Sequence, residues 1–443
     1  MSATERTVSG EVRFTRLTIG EFAGAAYIAL YLIVKFEPFV LLRPLPGSAA
    51  SLLLPMAGVC ALAIAPTEGL RRIPINFALV GLIAWMAASY LWAESTLFAF
   101  VILRNELPSL LMLWLVVGSM RPRLAVSTLL GAFGFFAVWS LGTSLTLPMS
   151  RAAVLFDGPA GLQEGWRGTF DHKNLLGIYM VLALSLTLAF YRRRSRPLMI
   201  GLIVSVILST RSATAASGLV AVVATWFLMT TIGRTQVTRD RVILKILAIS
   251  SLVAAIGLVI GTLPVLVGVY GKDLTFSGRT EIWAASLDAA LRRPIQGYGI
   301  GGVWFDVRSP VTIELHRAIG FGASHAHNGP LNMFIEAGIV GLGMYLVVLI
   351  QTVRLAVRSL GGVPEFAAYG RWAITTIAAV QLMALSEPLY RGPLLGLAVV
   401  MWTVLARVDQ DRARGAAGVL ARSGSNFAST SPRNALDRSE PRA

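Results

Sequence analysis

The chain has 443 residues, of which 55% are apolar and only 14% are charged, and its mean hydropathy is +0.68. A soluble domain of this length carries about a quarter charged residues, so the composition excludes an ordinary soluble protein. The net charge of +16 does not indicate nucleic-acid binding, because the basic residues alternate with apolar segments instead of forming one patch. The single cysteine, Cys60, excludes an intrachain disulfide and a cysteine-rich metal site.

The apolar residues occur in blocks of about 17–25, the length at which an α-helix crosses the hydrocarbon of a bilayer. We therefore predict an all-α polytopic membrane protein with about 12 transmembrane helices. The seventh predicted span is short, and "ILRNELP" at 102–108 is expected to interrupt the fourth. The predicted spans are residues 21–42, 48–65, 74–93, 97–120, 124–147, 172–191, 197–210, 214–232, 242–268, 331–353, 366–386 and 392–407.

The connections between these spans differ in their basic residues, which predicts their orientation. One set contains Arg71, Arg72 and "RRRSR" at 192–196. Because basic connections stay in the cytoplasm, this side and both chain termini are predicted to be cytoplasmic. The opposite, outer face then has two long connections, at 148–171 and 269–330.

The longer outer connection, between the ninth and tenth spans, is predicted to be partly helical. Its "RTEIWAASLDAALRRP" at 279–294 has the pattern of an amphipathic helix. The "GYGIGG" at 297–302 resembles a glycine-rich phosphate loop, but no strand pattern precedes it. We interpret these glycines as points of close packing against membrane helices.

The two ends of the chain differ in composition from its apolar middle. Residues 1–20 are polar and contain no apolar stretch followed by a small-residue cleavage site, so no signal peptide is expected. Residues 408–443 are polar and poor in aromatic residues, which is typical of disorder. We predict a cytoplasmic segment at 1–20, a transmembrane domain at 21–407 and a disordered cytoplasmic tail at 408–443.

Polar residues from four separate segments fall together on the predicted outer face. Guanidinium groups recognise phosphate bidentately, and a histidine can take a proton near neutral pH. Together they favour transfer chemistry on a phosphate-activated donor held in the membrane, with the arginines stabilising the leaving phosphate. These residues are Arg167, His172, Lys173 and Asn174 around the start of the sixth span, Arg211 between the seventh and eighth, Arg279 in the longer connection, and His325, His327 and Asn328 before the tenth.

The same residues also allow simpler interpretations. A single arginine in an outer loop more often contacts a lipid headgroup or solvent. His325 and His327, with His316 nearby, could form a metal site, but no carboxylate or cysteine spacing completes it.

Four charged residues fall inside predicted spans. They are Lys35, Glu37, Arg104 and Glu106. Intramembrane charges are candidates for function, but Lys35 can pair with Glu37 and Arg104 with Glu106, or they can reach an interface, and we expect structural roles.

The outer-face segments resemble the O-antigen ligase/polymerase family, membrane glycosyltransferases that act on polyprenyl-diphosphate-linked glycans. The ligase signature is a histidine, then Asn, Ser or Gln, nine residues and G-x-x-G. Here His327 and Asn328 are followed by "GPLNMFIEA" and then by Gly338 and Gly341. The resemblance covers about residues 160–345.

Within that family the chain is most similar to the exopolysaccharide-polymerase branch, through "WRGTFDHKNLLG", "GRTEIW", "RRPIQGYGIGGVW" and "HAHNGPLNMFIEAGIVGLG". The departure is Asp171, where a small residue is common. The resemblance implies polymerisation of undecaprenyl-diphosphate-linked repeat units at the periplasmic face of the bacterial inner membrane. Arg211 and Arg279 look like the family's paired arginines and would bind the diphosphate. His327 would deprotonate or position the acceptor hydroxyl.

The resemblance also implies the remaining site residues and partners. Arg167, Lys173, Asn174, Asn328 and His325 would bind substrate. We expect no metal and no cofactor. The partners would be the lipid-linked glycan, membrane lipid, and polysaccharide export and chain-length proteins. The alternatives are a ligase that transfers the glycan to lipid A-core or protein, a lipid-linked sugar transporter, and a non-catalytic scaffold.

Overall fold

The computed structural model describes residues 17–36, 47–150, 154–155, 162–163, 165–232, 278–361, 363–390 and 392–428. Short 3₁₀ helices occur at Ser89–Trp92 and Pro148–Ser150, and β1 (Val154–Leu155) pairs antiparallel with β2 (Leu162–Gln163). The α-helices of these residues are α1 (Ile19–Phe36), α2 (Gly47–Ala63), α3 (Thr67–Leu70), α4 (Phe77–Ala88), α5 (Thr96–Ser119), α6 (Pro122–Thr146), α7 (Lys173–Phe190), α8 (Arg196–Ser209), α9 (Ala213–Ile232), α10 (Arg279–Arg292), α11 (Pro310–Ile319), α12 (Gly329–Leu360), α13 (Pro364–Ala384) and α14 (Pro393–Ala428).

The helical, multi-pass architecture predicted from the sequence is confirmed, but the count of 12 spans is not established. Each predicted span except the ninth overlaps a helix, and the ninth, 242–268, lies outside the described residues. Seven helices within the described residues are long and apolar enough to cross a membrane. Three further apolar helices are shorter, at Leu53–Ala63, Phe77–Trp92 and Arg196–Ser209.

The helices bury one face and leave large apolar side chains on the other. Phe77, Leu91 and Leu198 are 84%, 83% and 75% exposed. Hydrocarbon offers no hydrogen bonds to a backbone, so a spanning segment satisfies its own as a helix. The helix α7 is buried along most of its length, and its start therefore lies near the centre of the bundle.

The fourth predicted span is not interrupted. The helix α5 runs continuously through the polar stretch, with Pro108 inside it. Nζ of Lys35, at the end of α1, donates to the carbonyl oxygen of Asn105 at 2.7 Å and lies 3.3 Å from Oε1 of Glu106. Lys35 therefore pairs with Glu106 instead of with Glu37, its expected partner, which lies outside the described residues.

The described part of the longer connection folds onto the helical bundle. The predicted amphipathic helix is α10, and α11 is a second helix that we had not predicted. Both pack around a small apolar core that includes Trp304, Leu315 and Ile335. The "GYGIGG" glycines do allow close packing, since a Cβ at Gly299 would lie 2.6 Å from Cα of Ala93.

The helix α12 breaks at Gly338, the first glycine of the ligase signature. Its φ is +66°, in the left-handed region that L side chains rarely adopt. The break lets N–H of Ile339 donate to the carbonyl oxygen of Pro294 at 2.8 Å. An added Cβ at Gly338 would collide with the carbonyl oxygen of Ile295. This glycine therefore joins the end of α10 to α12 and fixes how the two helices lie.

Candidate active site

A single buried carboxylate, Glu387, joins three of the predicted site segments. It lies in the turn after α13, and its side chain is 10% exposed. Nδ2 of Asn174 donates to Oε1 of Glu387 at 2.7 Å, and Nη2 of Arg279 lies 3.5 Å from the same oxygen. Nδ1 of His327 lies 4.0 Å from the other oxygen, Oε2. The starts of α7, α10 and α12 thus meet at one end of the bundle, which we call the site end.

The start of α9, preceded by Arg211, belongs to the same end. The hydroxyl of Thr214 hydrogen-bonds the hydroxyl of Ser386 at 2.8 Å, in the turn after α13. N–H of Trp166 donates to the carbonyl oxygen of Ser209 at 2.9 Å, which ties the segment before α7 to the turn that carries Arg211. Four helix N-termini, each with a partial positive charge, therefore lie at the site end.

Arg211 and His327 share an unusual backbone conformation. Their φ values are +50° and +46°, and within the described residues they are the only non-glycine residues with positive φ. Such a conformation costs about 1–3 kcal/mol and persists where the surrounding structure enforces it, often at functional sites. The two residues are also among those that the family resemblance marked as catalytic.

His327 is held as a neutral imidazole. Its pKa is lowered to about 2, chiefly by burial, with the neighbouring His325, Arg279 and His172 acting in the same direction. The backbone N–H of His327 donates to Nδ1 of His325 at 3.3 Å, and the two rings meet edge to face with centroids 4.0 Å apart. A group with this pKa is neutral at pH 7 and needs a stabilising partner to take up a proton.

His172 lies close to three cationic residues of the site. Its Nδ1 accepts from N–H of Asn174 at 3.0 Å and so caps the start of α7. Burial lowers the pKa of His172 to about 4, with Lys173 the next cause and with Arg279 and Arg167 acting in the same direction. All three cations are therefore close enough to influence one imidazole.

The remaining predicted residues have local roles in this structure. Oδ1 of Asn328 accepts from N–H of Leu331 at 3.0 Å and caps α12. Nη1 of Arg167 donates to the carbonyl oxygen of Asp171 at 3.3 Å, and Lys173 is buried. Their expected contacts with substrate stay predictions.

Glu387 is the residue that sequence reasoning missed. Its signal in the sequence is slight, a lone acidic residue in "LSEPLYRG" directly after a predicted span. Burial raises the pKa of this carboxyl, whereas Arg279 and the hydrogen bond from Asn174 act to lower it.

Donor atoms of His325, His327 and Glu387 all lie within 4.8 Å of one another, a spacing compatible with a metal ion. Glu387 supplies the carboxylate that the sequence pattern lacked. The guanidinium of Arg279, however, lies beside the same carboxylate and opposes a divalent cation. We interpret the group as a hydrogen-bonding cluster.

The fold and the site define a multi-pass helical membrane protein with a cationic site around one buried carboxylate. Residues 173–346 match the family model described as O-Antigen ligase. The chain is 27% identical over 196 residues to the exopolysaccharide production protein ExoQ of Rhizobium meliloti (strain 1021), an alignment that covers 41% of this chain and 45% of that relative. The chain thus spans less than half the length of the curated relative it matches. The predicted resemblance to the O-antigen ligase family is confirmed over residues 173–346.

Proposed function

We propose that the protein is a membrane glycosyltransferase that polymerises undecaprenyl-diphosphate-linked repeat units into exopolysaccharide. The observation that carries the proposal is the meeting of Arg279 and the neutral His327 at Glu387, with Lys173 and Arg167 close to His172 at the same site end. The family match and the printed name of the relative support it.

The leaving diphosphate would bind where the four helix N-termini meet. Backbone N–H groups and the helix dipole make such termini favourable for anions. Arg279 and Arg211 would hold the diphosphate bidentately, with Arg167 or Lys173 assisting. A bound diphosphate would also offset the repulsion among these cations.

His327 would act as the base for the acceptor hydroxyl. The hydroxyl oxygen forms a bond to the anomeric carbon of the donor sugar and gives its proton to the imidazole. The bond from that carbon to the diphosphate oxygen breaks, and its electron pair leaves with the diphosphate. Arg279 and Arg211 would stabilise the charge that develops there.

The location of the site follows from the charge pattern of the chain. The basic connections favour a cytoplasmic position for residues 1–20 and for the tail from 408 onward. The site end would then face the periplasm, with the connections 148–171 and 269–330 around it. We place the protein in the bacterial inner membrane, where lipid-linked glycans and export proteins would meet it.

A ligase is the second candidate, since the matching family is described by that activity. Its acceptor would be lipid A-core or a protein instead of another repeat unit. Deletion of the gene separates the two, because a polymerase mutant loses long-chain exopolysaccharide and keeps intact lipopolysaccharide. A ligase mutant instead exposes unmodified lipid A-core.

The proposal is tested with purified protein and the lipid-linked repeat unit, using two variants on the same helix, α10. Arg279→Ala is expected to lower the elongation rate about 10²-fold or more. Arg292→Ala is the matched control, because this arginine pairs with the exposed Glu314 at 2.8 Å and should keep most activity. Equal activity of both variants and the wild type would refute the role of Arg279.

A further inference from the structure

We propose that Glu387 is a positioning residue for the transfer reaction, which rests on the proposed function. Its Oε2 accepts the Nδ1 proton of His327 and holds the imidazole with Nε2 toward the acceptor hydroxyl. Glu387 would then set both the orientation and the tautomer of His327.

The first support is an unsatisfied nitrogen. Nδ1 of His327 is buried and has no hydrogen-bond partner in the described part of the chain. Leaving a buried polar group unpaired costs about 1–3 kcal/mol. Oε2 of Glu387 lies 4.0 Å away, and catalytic hydrogen bonds are often long before substrate binds and shorten in the complex. The structure therefore presents a donor and an acceptor about 1 Å short of a hydrogen bond.

The second support is that the other groups facing His327 cannot accept this proton. Arg279, on α10, is a donor only. Nδ1 of His325 already accepts from the backbone N–H of His327, and Nδ1 of His172 accepts from N–H of Asn174. The described contacts of Glu387 with Asn174 and Arg279 both end on Oε1. Oε2 is thus the oxygen directed toward His327.

This arrangement explains how a histidine in a cationic site can act as a base. The side chain of His327 is 31% exposed although its Nδ1 is buried, so the rest of the ring can reach substrate. When Nε2 takes the hydroxyl proton, the carboxylate stabilises the imidazolium that forms. Without that carboxylate, His325, His172 and Arg279 would all oppose the positive charge.

A direct test is the tautomer of each histidine, since the full chain has only 4. His325 and His172 use Nδ1 as an acceptor, and Nε2 of His316 contacts the carbonyl oxygen of Ala323 at 2.9 Å. These three should carry the proton on Nε2. His327 alone should carry it on Nδ1, giving one distinct signal in the ¹⁵N spectrum of histidine-labelled protein in lipid. The signal is assigned by its loss in His327→Gly. A spectrum in which His327 carries the proton on Nε2 overturns the proposal.

A kinetic test uses Glu387→Gln, which keeps the size of the side chain but offers an amide. The amide can donate to Nδ1 and so would reverse the tautomer. We expect kcat to fall about 10²-fold or more while KM for the lipid-linked unit changes little. The acidic limb of the pH–rate profile should also move, because the carboxylate no longer shares the proton of His327. Glu387→Asp should recover part of the rate, and the exposed Glu314→Gln is the control.

The outcomes separate this proposal from the proposed function. A wild type that elongates no glycan refutes the proposed function, whereas the tautomer of His327 is measured without substrate. A Glu387→Gln variant with wild-type kcat and an unchanged His327 signal refutes the role of Glu387 alone. If Glu387→Gln does not fold, the tautomer of His327 in the wild type and the rate of Glu387→Asp still test the role of Glu387.

Discussion

The two ends of the helical bundle both carry basic side chains, but they differ in the helix groups that these side chains face. At the site end, Lys173 and Arg279 are the first residues of α7 and α10. At the other end, Arg196 is also the first residue of a helix, α8, but its Nη2 donates to a carbonyl oxygen in the last turn of α7 at 2.5 Å. Nη1 of Arg412 likewise donates to a carbonyl oxygen in the last turn of α12 at 2.7 Å.

Because of the helix dipole, these two arrangements have opposite effects on the stability of the fold. A cation at a helix C-terminus stabilises by about 0.3–1 kcal/mol, and a cation at an N-terminus is unfavourable by a similar amount. The basic residues opposite the site thus serve the fold. Those at the site end are unfavourable for the helix dipole, a cost that Glu387 offsets for Arg279 and that the proposed diphosphate would offset further.

The largest expected difference between the two ends is in binding the leaving group. Arg279→Ala should weaken binding of undecaprenyl diphosphate about 10–100-fold, because charge-assisted hydrogen bonds are lost. Arg412→Ala should leave the affinity unchanged. Titration of the lipid into each purified variant in detergent measures both. A stronger effect of Arg412→Ala than of Arg279→Ala would contradict the comparison.

A large effect on stability is expected at the break in α12. Gly338→Ala should destabilise the protein by about 2–4 kcal/mol, since the new Cβ meets a positive φ and the carbonyl of Ile295. Gly343→Ala, five residues along the same helix, has no atom within 4 Å of the new Cβ. It should be neutral or stabilising by up to about 1 kcal/mol. Thermal unfolding in detergent compares them, and equal losses would show that the break is not needed.

The site end should also be the part that is sensitive to acid. The folded-state pKa of His172 is about 4, below the unfolded value of about 6.5. The unfolded chain therefore binds a proton first, and stability is lost as pH falls from about 6.5 toward 4. His172→Asn keeps the helix cap and should remove about 2 kcal/mol of this loss at pH 5. An identical loss of stability in the variant, measured by unfolding at pH 7 and pH 5, would contradict this assignment.

The smallest effect is expected opposite the site. Arg412→Ala should lower stability by less than about 1 kcal/mol, since its hydrogen bond is exposed. Elongation activity should not change. A loss of activity with unchanged stability would show that this end also takes part in the reaction.

The helices were predictable because crossing hydrocarbon demands long apolar blocks, a requirement that is local in sequence. Prediction from local sequence failed where contacts between distant residues determine the structure. The polar stretch 102–108 does not break α5, and its Glu106 pairs with Lys35 on another helix. The two-residue strands and α11 also lacked a clear local pattern.

The site was predictable only in part. The motif spacing identified His327 and Gly338. It did not explain why a glycine is required at 338, which is the close contact of this segment with Pro294 and Ile295. Glu387 lies 60 residues after His327 in sequence. Only the folded chain brings its carboxylate to the imidazole, so no local pattern could identify it.

The central claim is tested most directly by glycan elongation with His327→Gly in reconstituted membranes. Glycine adopts the φ of +46° found at His327 without strain, so this variant should fold at least as stably as the wild type. With the lipid-linked repeat unit as the sole substrate, the wild type should form longer glycans and release one undecaprenyl diphosphate per bond. The folded variant should retain about 1% of that rate or less. Elongation by His327→Gly at the wild-type rate would contradict the account.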